Sequence, residues 1–390
     1  MTSQPGKTSK IDYGLVLTLM LMCLVSLVSI YSAQKTGQLD QNYLLKQVVW
    51  YVVGICIVAV TIHFDSDQLK KLSWYLYAFG ILLLGFLIIA PESIAHVTKG
   101  QKSWFTVPFM GTFQPSEIVK VFVIITLARA IEDHHEKYLI KSVKTDFWLL
   151  IKLGMIAGFP LLLIMQQPDL GTGLVVVSIL LGVIFVSGIT WKLLLPIFGG
   201  GTLIAGTILY FVVWMPEVLE KYLHVKPYQF NRIYSWLDPY QYKSDAGYQL
   251  INSLLAIGSG QTLGKGMNLT EVNIPERQTD FIFSMIGENF GFIGASVVVS
   301  LFFMLIYHIT KASLETKNSF YSYICAGVIA MITFHVFENI GMTIGLLPIT
   351  GIPLPFISYG GSSLMGNMFA MGLIFSIRYH YKKYMFGNEK

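Results

Sequence analysis

About ten long apolar runs, separated by short polar connections, are what most restricts the fold open to this chain. They lie near Tyr13–Ala33, Lys46–Phe64, Leu72–Ala90, Ser116–Ala130, Phe147–Met165, Leu170–Ile189, Leu193–Val213, Phe281–Ile309, Phe320–Leu347 and Ser363–Tyr379. Crossing a bilayer takes roughly 20 predominantly apolar residues, and most of the runs are of that order. Hydrocarbon offers no partner to an open backbone, so such runs must be helical. Composition agrees: of 390 residues, 54% are hydrophobic and only 13% charged, against about 25% charged in soluble domains. The expected fold is an all-α polytopic membrane domain over 1–390, with about ten transmembrane helices and no soluble domain at either end.

Lys and Arg in the short connections set the orientation. With the N-terminus inside, the inner side collects sixteen, among them Lys70, Lys71, Lys141, Lys144 and Lys311, and the short outer connections only Lys35, Lys46, Lys99 and Lys102. Both termini are therefore expected in the cytoplasm. The first run is too long for a cleaved signal, and its end, Ser29-Ile30-Tyr31-Ser32-Ala33, lacks small residues at both cleavage positions. Cys23, Cys56 and Cys325 fall inside spans, which argues against a disulfide framework or a zinc site. The net charge of +5 is mostly the inner-face bias and gives no reason to expect nucleic acid.

Three outer segments interrupt the helices: 91–115, the long loop 215–279 between helices 7 and 8, and the Pro- and Gly-rich 348–362. All three lie on one side, and function in a helical scaffold tends to sit on loops, so the chemistry is expected outside. Within the long loop, Tyr248–Ile257 reads as an amphipathic helix with Leu250, Leu254 and Ile257 at helical spacing, expected to lie on the membrane surface as a lid. The run Gly258-Ser259-Gly260-Gln261-Thr262-Leu263-Gly264-Lys265-Gly266 lacks the P-loop spacing and reads as a turn bending that lid.

Charged and polar groups at span ends are the candidate functional residues. Asp280 closes Pro275-Glu276-Arg277-Gln278-Thr279-Asp280 and heads a stripe of Ser284, Gly287, Glu288, Gly291 and Gly294 on one helix face. Read as structure, Asp280 is a helix cap; read as function, it lines a polar cavity with Glu288. Glu117 and Lys120 stand three apart, either as an ion pair that neutralises both or with Lys120 turned to an anionic phosphate. Asp169 reads first as a cap, and Arg232 as a pyrophosphate ligand or a headgroup anchor. Gly360 and Gly361 either cradle an anion at a helix start or permit close packing. His335, Glu338, Asn339 and Thr343 form another inward polar stripe.

The motifs QPSEIVK, QPDLGT, AGYQLINSLLAIGSG, PERQTDFIFSMIGENFGFIG and NIGMTIGLLPITGIPLPFISYGGSS, in this order, resemble those of the SEDS family (shape, elongation, division, sporulation) of bacterial membrane proteins. The wording around GITWK and TDFIFSMIGENFGFIG is most similar to the elongation branch, with the division and sporulation branches as alternatives. The resemblance implies a peptidoglycan glycosyltransferase that polymerises lipid II on the outer face of the cytoplasmic membrane. It places the family's essential acid at Asp280, its loop Trp at Trp104 and its charged pair at Glu117 and Lys120. It further implies a class B penicillin-binding protein as transpeptidase partner, alongside other membrane proteins of the elongation complex.

On that footing Asp280 is the expected general base. Gln114, Ser116, Glu276, Arg277 and Ser358 join Trp104, Glu117, Lys120, Arg232, Glu288, Gly360 and Gly361 as the expected substrate-binding set. Lys120, Arg232, Arg277 or a divalent cation (Mg²⁺ or Mn²⁺) would steady the leaving pyrophosphate, and no organic cofactor is expected. A lipid II flippase would need polar groups reaching both faces, whereas here they gather on the outer one. A scaffold would explain the spans but not the acids.

Overall fold

The computed structural model describes residues 11–35, 42–95, 101–107, 111–215, 227–242, 246–267 and 272–385. Each predicted run is a helix. In chain order the elements are α1 (Tyr13–Lys35), α2 (Tyr43–Thr61), α3 (Ser66–Ile89), β1 (Phe105–Val107), β2 (Gly111–Phe113), α4 (Pro115–Lys137), α5 (Val143–Gln166), α6 (Leu170–Val186), α7 (Trp191–Trp214), α8 (Pro227–Leu237), α9 (Ala246–Ser259), α10 (Ile282–Glu315), α11 (Ser319–Thr343) and α12 (Gly361–Met385). Seven of them, α1, α2, α3, α5, α7, α10 and α11, are long and apolar enough to cross a membrane by length and composition. α6 is apolar but only 17 residues long, and α4 and α12 are more polar. The architecture is that of a helical multi-pass membrane protein.

Local chemistry sets several boundaries. α3 starts six residues before its predicted run because Asp65 and Gln68 form a capping box: Gln68 N donates to Asp65 Oδ1 at 2.8 Å, and Asp65 N to Gln68 Oε1 at 3.1 Å. α4 starts at Pro115, whose missing N–H is no loss in a first turn. α11 ends at Thr343, short of the predicted Leu347, because Gly345 takes φ +77° and turns the chain.

α4 is the core of the bundle. From Val119 to Ala128 every residue is buried, and α3, α5, α6, α11 and α12 all pack on it. Small residues let the helices close up: a β-carbon on Gly182 of α6 would stand 2.4 Å from Ala330 Cβ of α11. α7 stands apart, with only Leu194 and Val212 buried.

The 91–115 segment holds a feature the sequence did not announce, an antiparallel hairpin in which Phe105 pairs with Phe113. The predicted continuous helix 281–309 is also corrected. α10 breaks at Gly291, with φ 62° and ψ −159°. The expected stripe from Ser284 to Gly294 therefore does not run down one helix.

Hydrogen bonds from Arg232, Ser358 and Tyr359 tie α8 and the turn at 276–280 to the 348–360 segment at one end of the bundle. The opposite end carries ion pairs, among them Asp12 with Arg378 at 2.6 Å and His308 at 3.3 Å, and Lys70 with Glu132 at 2.7 Å.

Candidate active site

Pro348, Pro353 and Pro355 exclude a helix from the 348–360 segment and remove three backbone donors. Side chains supply the partners for its carbonyls. Arg232 Nη1 reaches Ile349 O at 3.5 Å, Asn339 Nδ2 donates to Ile352 O at 2.8 Å, and His335 Nδ1 faces Pro353 O at 3.4 Å. Tyr51 donates to Phe356 O, Ser26 Oγ to Ile357 O at 2.8 Å, and Gln47 Nε2 to Ser358 O at 3.3 Å. A buried carbonyl left unmet costs about 1–3 kcal/mol, so donors from α1, α2, α8 and α11 together hold one loop shape. The shape is strained at Phe356, a non-glycine residue at φ +63°.

The turn carrying Asp280 is stitched onto that loop. Ser358 Oγ donates to Thr279 O at 2.6 Å, and Tyr359 N to Gln278 O at 2.9 Å. Asn339 Nδ2, already on Ile352 O, also donates to Asp280 O at 2.8 Å. Glu276 sits at φ +57°, and its carbonyl accepts from Thr279 N at 3.1 Å and Phe281 N at 3.3 Å, closing the turn. Asp280 is half-buried, and its side chain lies beside Gly351. The N-cap position of α10 belongs to Phe281, one residue further on.

Beneath the loop lie Glu117, Lys120 and Ser116, all buried on α4. Lys120 Nζ donates to Glu117 Oε1 at 2.9 Å and stands 3.0 Å from His335 Nε2. Ser116 Oγ has no hydrogen-bond partner among the described residues. Gln114 reaches both ways: its N donates to Ser362 Oγ at 2.9 Å, and its Nε2 to Asp169 Oδ2 at 2.7 Å. Asp169 caps α6 through Thr172 N at 3.1 Å. Trp104 is half-buried beside Ser103, whose hydroxyl donates to Gln167 O at 3.1 Å. Gly361 packs on Trp50, since a β-carbon there would stand 2.3 Å from Trp50 Cε2, whereas Gly360 has only Ser363 Cβ at 3.7 Å.

Arg277 and Glu288 form a second buried group, 1% and 0% exposed. Arg277 Nη2 donates to Val272 O and lies 4.0 Å from Glu288 Oε2; Lys265 Nζ lies 3.9 Å from Glu288 Oε1. Burial lowers the proton affinity of Arg277, Glu288 raises it again, and a guanidinium in this setting stays charged.

The glycine-rich run beside this group does more than bend the chain. Lys265 N and Gly266 N donate to the Glu288 and Asn289 carbonyls at 2.9 and 3.0 Å, and Phe292 N and Ile293 N donate to the Gln261 and Thr262 carbonyls at 2.8 and 3.2 Å. The run thus satisfies the backbone groups that the break in α10 exposes. Helix α9 lies against α10 and α11 and is not a detached lid. Ser253 Oγ is 2.6 Å from Ser284 Oγ and donates to Thr343 O at 2.6 Å, and Leu250 and Ala256 are buried. Leu254, expected on the apolar face, is 38% exposed.

The structure therefore gathers Asp280, Glu276, Arg277 and Ser358 into adjoining turns, with Glu288 of α10 beside Arg277 and Arg232 at their edge. Glu117 and Lys120 connect to them through His335. Asn339 and His335 lie on the stripe seen in the sequence, but no role followed from spacing. Ser26, Gln47 and Tyr51 went unnoticed; an isolated Gln inside an apolar span was the available signal. Among the described residues no three His, Cys, Asp or Glu side chains converge on a metal-sized site. A groove of about 480 Å³, almost wholly apolar, opens between α2, α3, α4 and α12, lined by Val53, Cys56, Ile57, Phe122 and Phe369 among others.

Residues 10–383 match the FtsW, RodA and SpoVE family, described as cell cycle proteins. Stage V sporulation protein E of Bacillus subtilis is 31% identical, covering 97% of this chain and 99% of that protein. Peptidoglycan glycosyltransferase MrdB of Escherichia coli is 32% identical, covering 98% of each. Among solved structures, one of a peptidoglycan synthase complex, described as coordinating polymerization and crosslinking, matches with a TM-score of 0.77 at 26% identity, covering 95% of this chain and 98% of that one. Thermus thermophilus Rod shape determining protein RodA shares the fold, with a TM-score of 0.68 at 24% identity, covering 95% and 97%.

Proposed function

The chain belongs to the FtsW, RodA and SpoVE family of cell cycle proteins, and from that membership we propose that it is a peptidoglycan glycosyltransferase. Its substrate is lipid II, and its work is wall synthesis during elongation, as in the RodA branch. Full-length similarity to a named glycosyltransferase supports the reaction. The observation that carries the site is the Asp280 turn, locked to the 348–360 loop by Ser358, Tyr359 and Asn339.

In the reaction the GlcNAc 4-hydroxyl of one lipid-linked unit attacks the MurNAc anomeric carbon of another. The new glycosidic bond forms as undecaprenyl pyrophosphate leaves, with inversion. Asp280 takes the hydroxyl proton, an effect worth about 10²–10⁴-fold. Of the three candidate cations, Arg232 suits the pyrophosphate best. It is half-buried, and among the described residues it makes the long contact to Ile349 O alone, whereas Lys120 and Arg277 are almost wholly enclosed. A divalent cation, Mg²⁺ or Mn²⁺, needs only one or two carboxylates when phosphates complete its shell. Asp280 or Glu276 would supply one, and the ion would neutralise charge on the pyrophosphate. Part of a prenyl tail lies in the groove between α2 and α3.

The same proposal sets all ten long helices across the cytoplasmic membrane, with both termini inside and Asp280 facing out. A class B penicillin-binding protein crosslinks the product. The test is lipid II polymerisation by purified wild type and Asp280→Asn, each reconstituted with that transpeptidase, with lipid II translocation measured on the same vesicles. Glycan strands from wild type alone support the proposal. Polymerisation by Asp280→Asn removes the base, and translocation without polymerisation turns the reading to a flippase.

A further inference from the structure

Three buried side chains from two helices stand in line beneath the 348–360 segment. Glu117 Oε1 accepts from Lys120 Nζ at 2.9 Å, Lys120 Nζ is 3.0 Å from His335 Nε2, and His335 Nδ1 is 3.4 Å from Pro353 O. An ammonium group has donors only, so Nε2 must accept. The imidazole is therefore neutral, and its one proton sits on Nδ1, pointing at the Pro353 carbonyl.

That carbonyl belongs to a stretch short of donors, because Pro353 and Pro355 contribute no N–H. One helical turn beyond His335, on the same face of α11, Asn339 donates to the preceding carbonyl, Ile352 O, and to Asp280 O, both at 2.8 Å. The two side chains thus grip consecutive carbonyls of the loop, and the second of them also holds the Asp280 turn. Lys120 fixes the tautomer that makes the first grip possible.

We propose that His335 is a positioning residue for glycosyl transfer. Held by Lys120 as the Nδ1–H tautomer, it sets the bend at Pro353 and, through Ile352 and Asn339, the place of the Asp280 carboxylate. The inference rests on the glycosyltransferase reading with Asp280 as base. It adds a residue whose effect on the reaction passes wholly through the loop.

The amide of Gln can accept from Lys120 and donate to Pro353 O, whereas Phe keeps the ring volume with neither function. His335→Gln and His335→Phe are compared with wild type in the full chain, reconstituted with its transpeptidase. Lipid II is titrated for kcat and KM, and hydrogen–deuterium exchange is followed in peptides covering 275–283 and 348–360. His335→Phe is expected to lower kcat by about tenfold or more, since small misplacements can cost about 10²-fold. Its KM stays within about twofold of wild type, as expected when no substrate contact is lost. Exchange rises in both peptides. His335→Gln keeps kcat within about threefold of wild type, with wild-type exchange.

Full activity of His335→Phe, equal impairment of both variants, a change in KM alone, or unaltered exchange in His335→Phe would each overturn the assignment. If His335→Phe does not accumulate, His335→Met carries the same comparison. If wild type forms no glycan, the glycosyltransferase reading falls, and the exchange data still decide whether His335 holds the loop.

Discussion

The carboxylate of Asp280 rests against Gly351: Oδ2 lies 3.3 Å from where a β-carbon would stand on that glycine, which itself adopts φ +80°. Gly351 is thus required twice, by its backbone and by its neighbour. Alanine there costs roughly 1–2 kcal/mol in the left-handed region and presses on the carboxylate. Gly351→Ala is expected to lower lipid II polymerisation tenfold or more while the thermal unfolding midpoint falls by about 2–4 °C. Wild-type rates would mean that the loop does not seat the base.

Glu117 and Lys120 are a buried ion pair at 2.9 Å. Removing one partner leaves an uncompensated charge and costs about 3–5 kcal/mol, whereas replacing both by apolar groups is often neutral. Glu117→Ala should unfold well below wild type in detergent, and Glu117→Leu with Lys120→Met should recover most of the loss. If the double variant also polymerises lipid II normally, the pair only neutralises itself. Recovered stability without activity assigns the ammonium a part in the reaction.

Gly264 and Gly266 both have positive φ but different surroundings. A β-carbon on Gly264 would stand 2.2 Å from Asn289 O, and one on Gly266 would meet nothing within 4 Å. Gly264→Ala should therefore unseat the run that seals α10 and lose about 2–4 kcal/mol, while Gly266→Ala loses only about 1 kcal/mol. Equal midpoints for the two would contradict the sealing role.

Cys56 is the exposed cysteine of the three and lines the apolar groove. A bulky maleimide on it should slow polymerisation, lipid II should protect it from labelling, and Cys56→Ser should be insensitive. Labelling without inhibition would move the prenyl tail elsewhere.

EDTA should stop polymerisation, and Mg²⁺ or Mn²⁺ should restore it in wild type but not in Asp280→Asn. Undiminished activity in EDTA would remove the cation from the proposal.

Much of the fold was legible because its determinants are local. Run length fixed the helices, and the three prolines between α11 and α12 excluded a regular helix there. Asp280 stood out because a carboxylate beside hydrocarbon is costly to keep. Donors to the site loop were illegible: Ser26, Gln47 and Tyr51 lie 331, 311 and 305 residues from the carbonyls they serve. Nothing in local periodicity encodes such pairs.

The break at Gly291 shows the same division. By itself the sequence determined that 281–309 would be apolar and helical, since side-chain hydropathy and backbone hydrogen bonding act over a few residues. Only the tertiary structure decided that the helix would open there, because the exposed backbone groups find their partners in the 261–266 run. A helix can break inside a bilayer only where another segment supplies what its own backbone has given up.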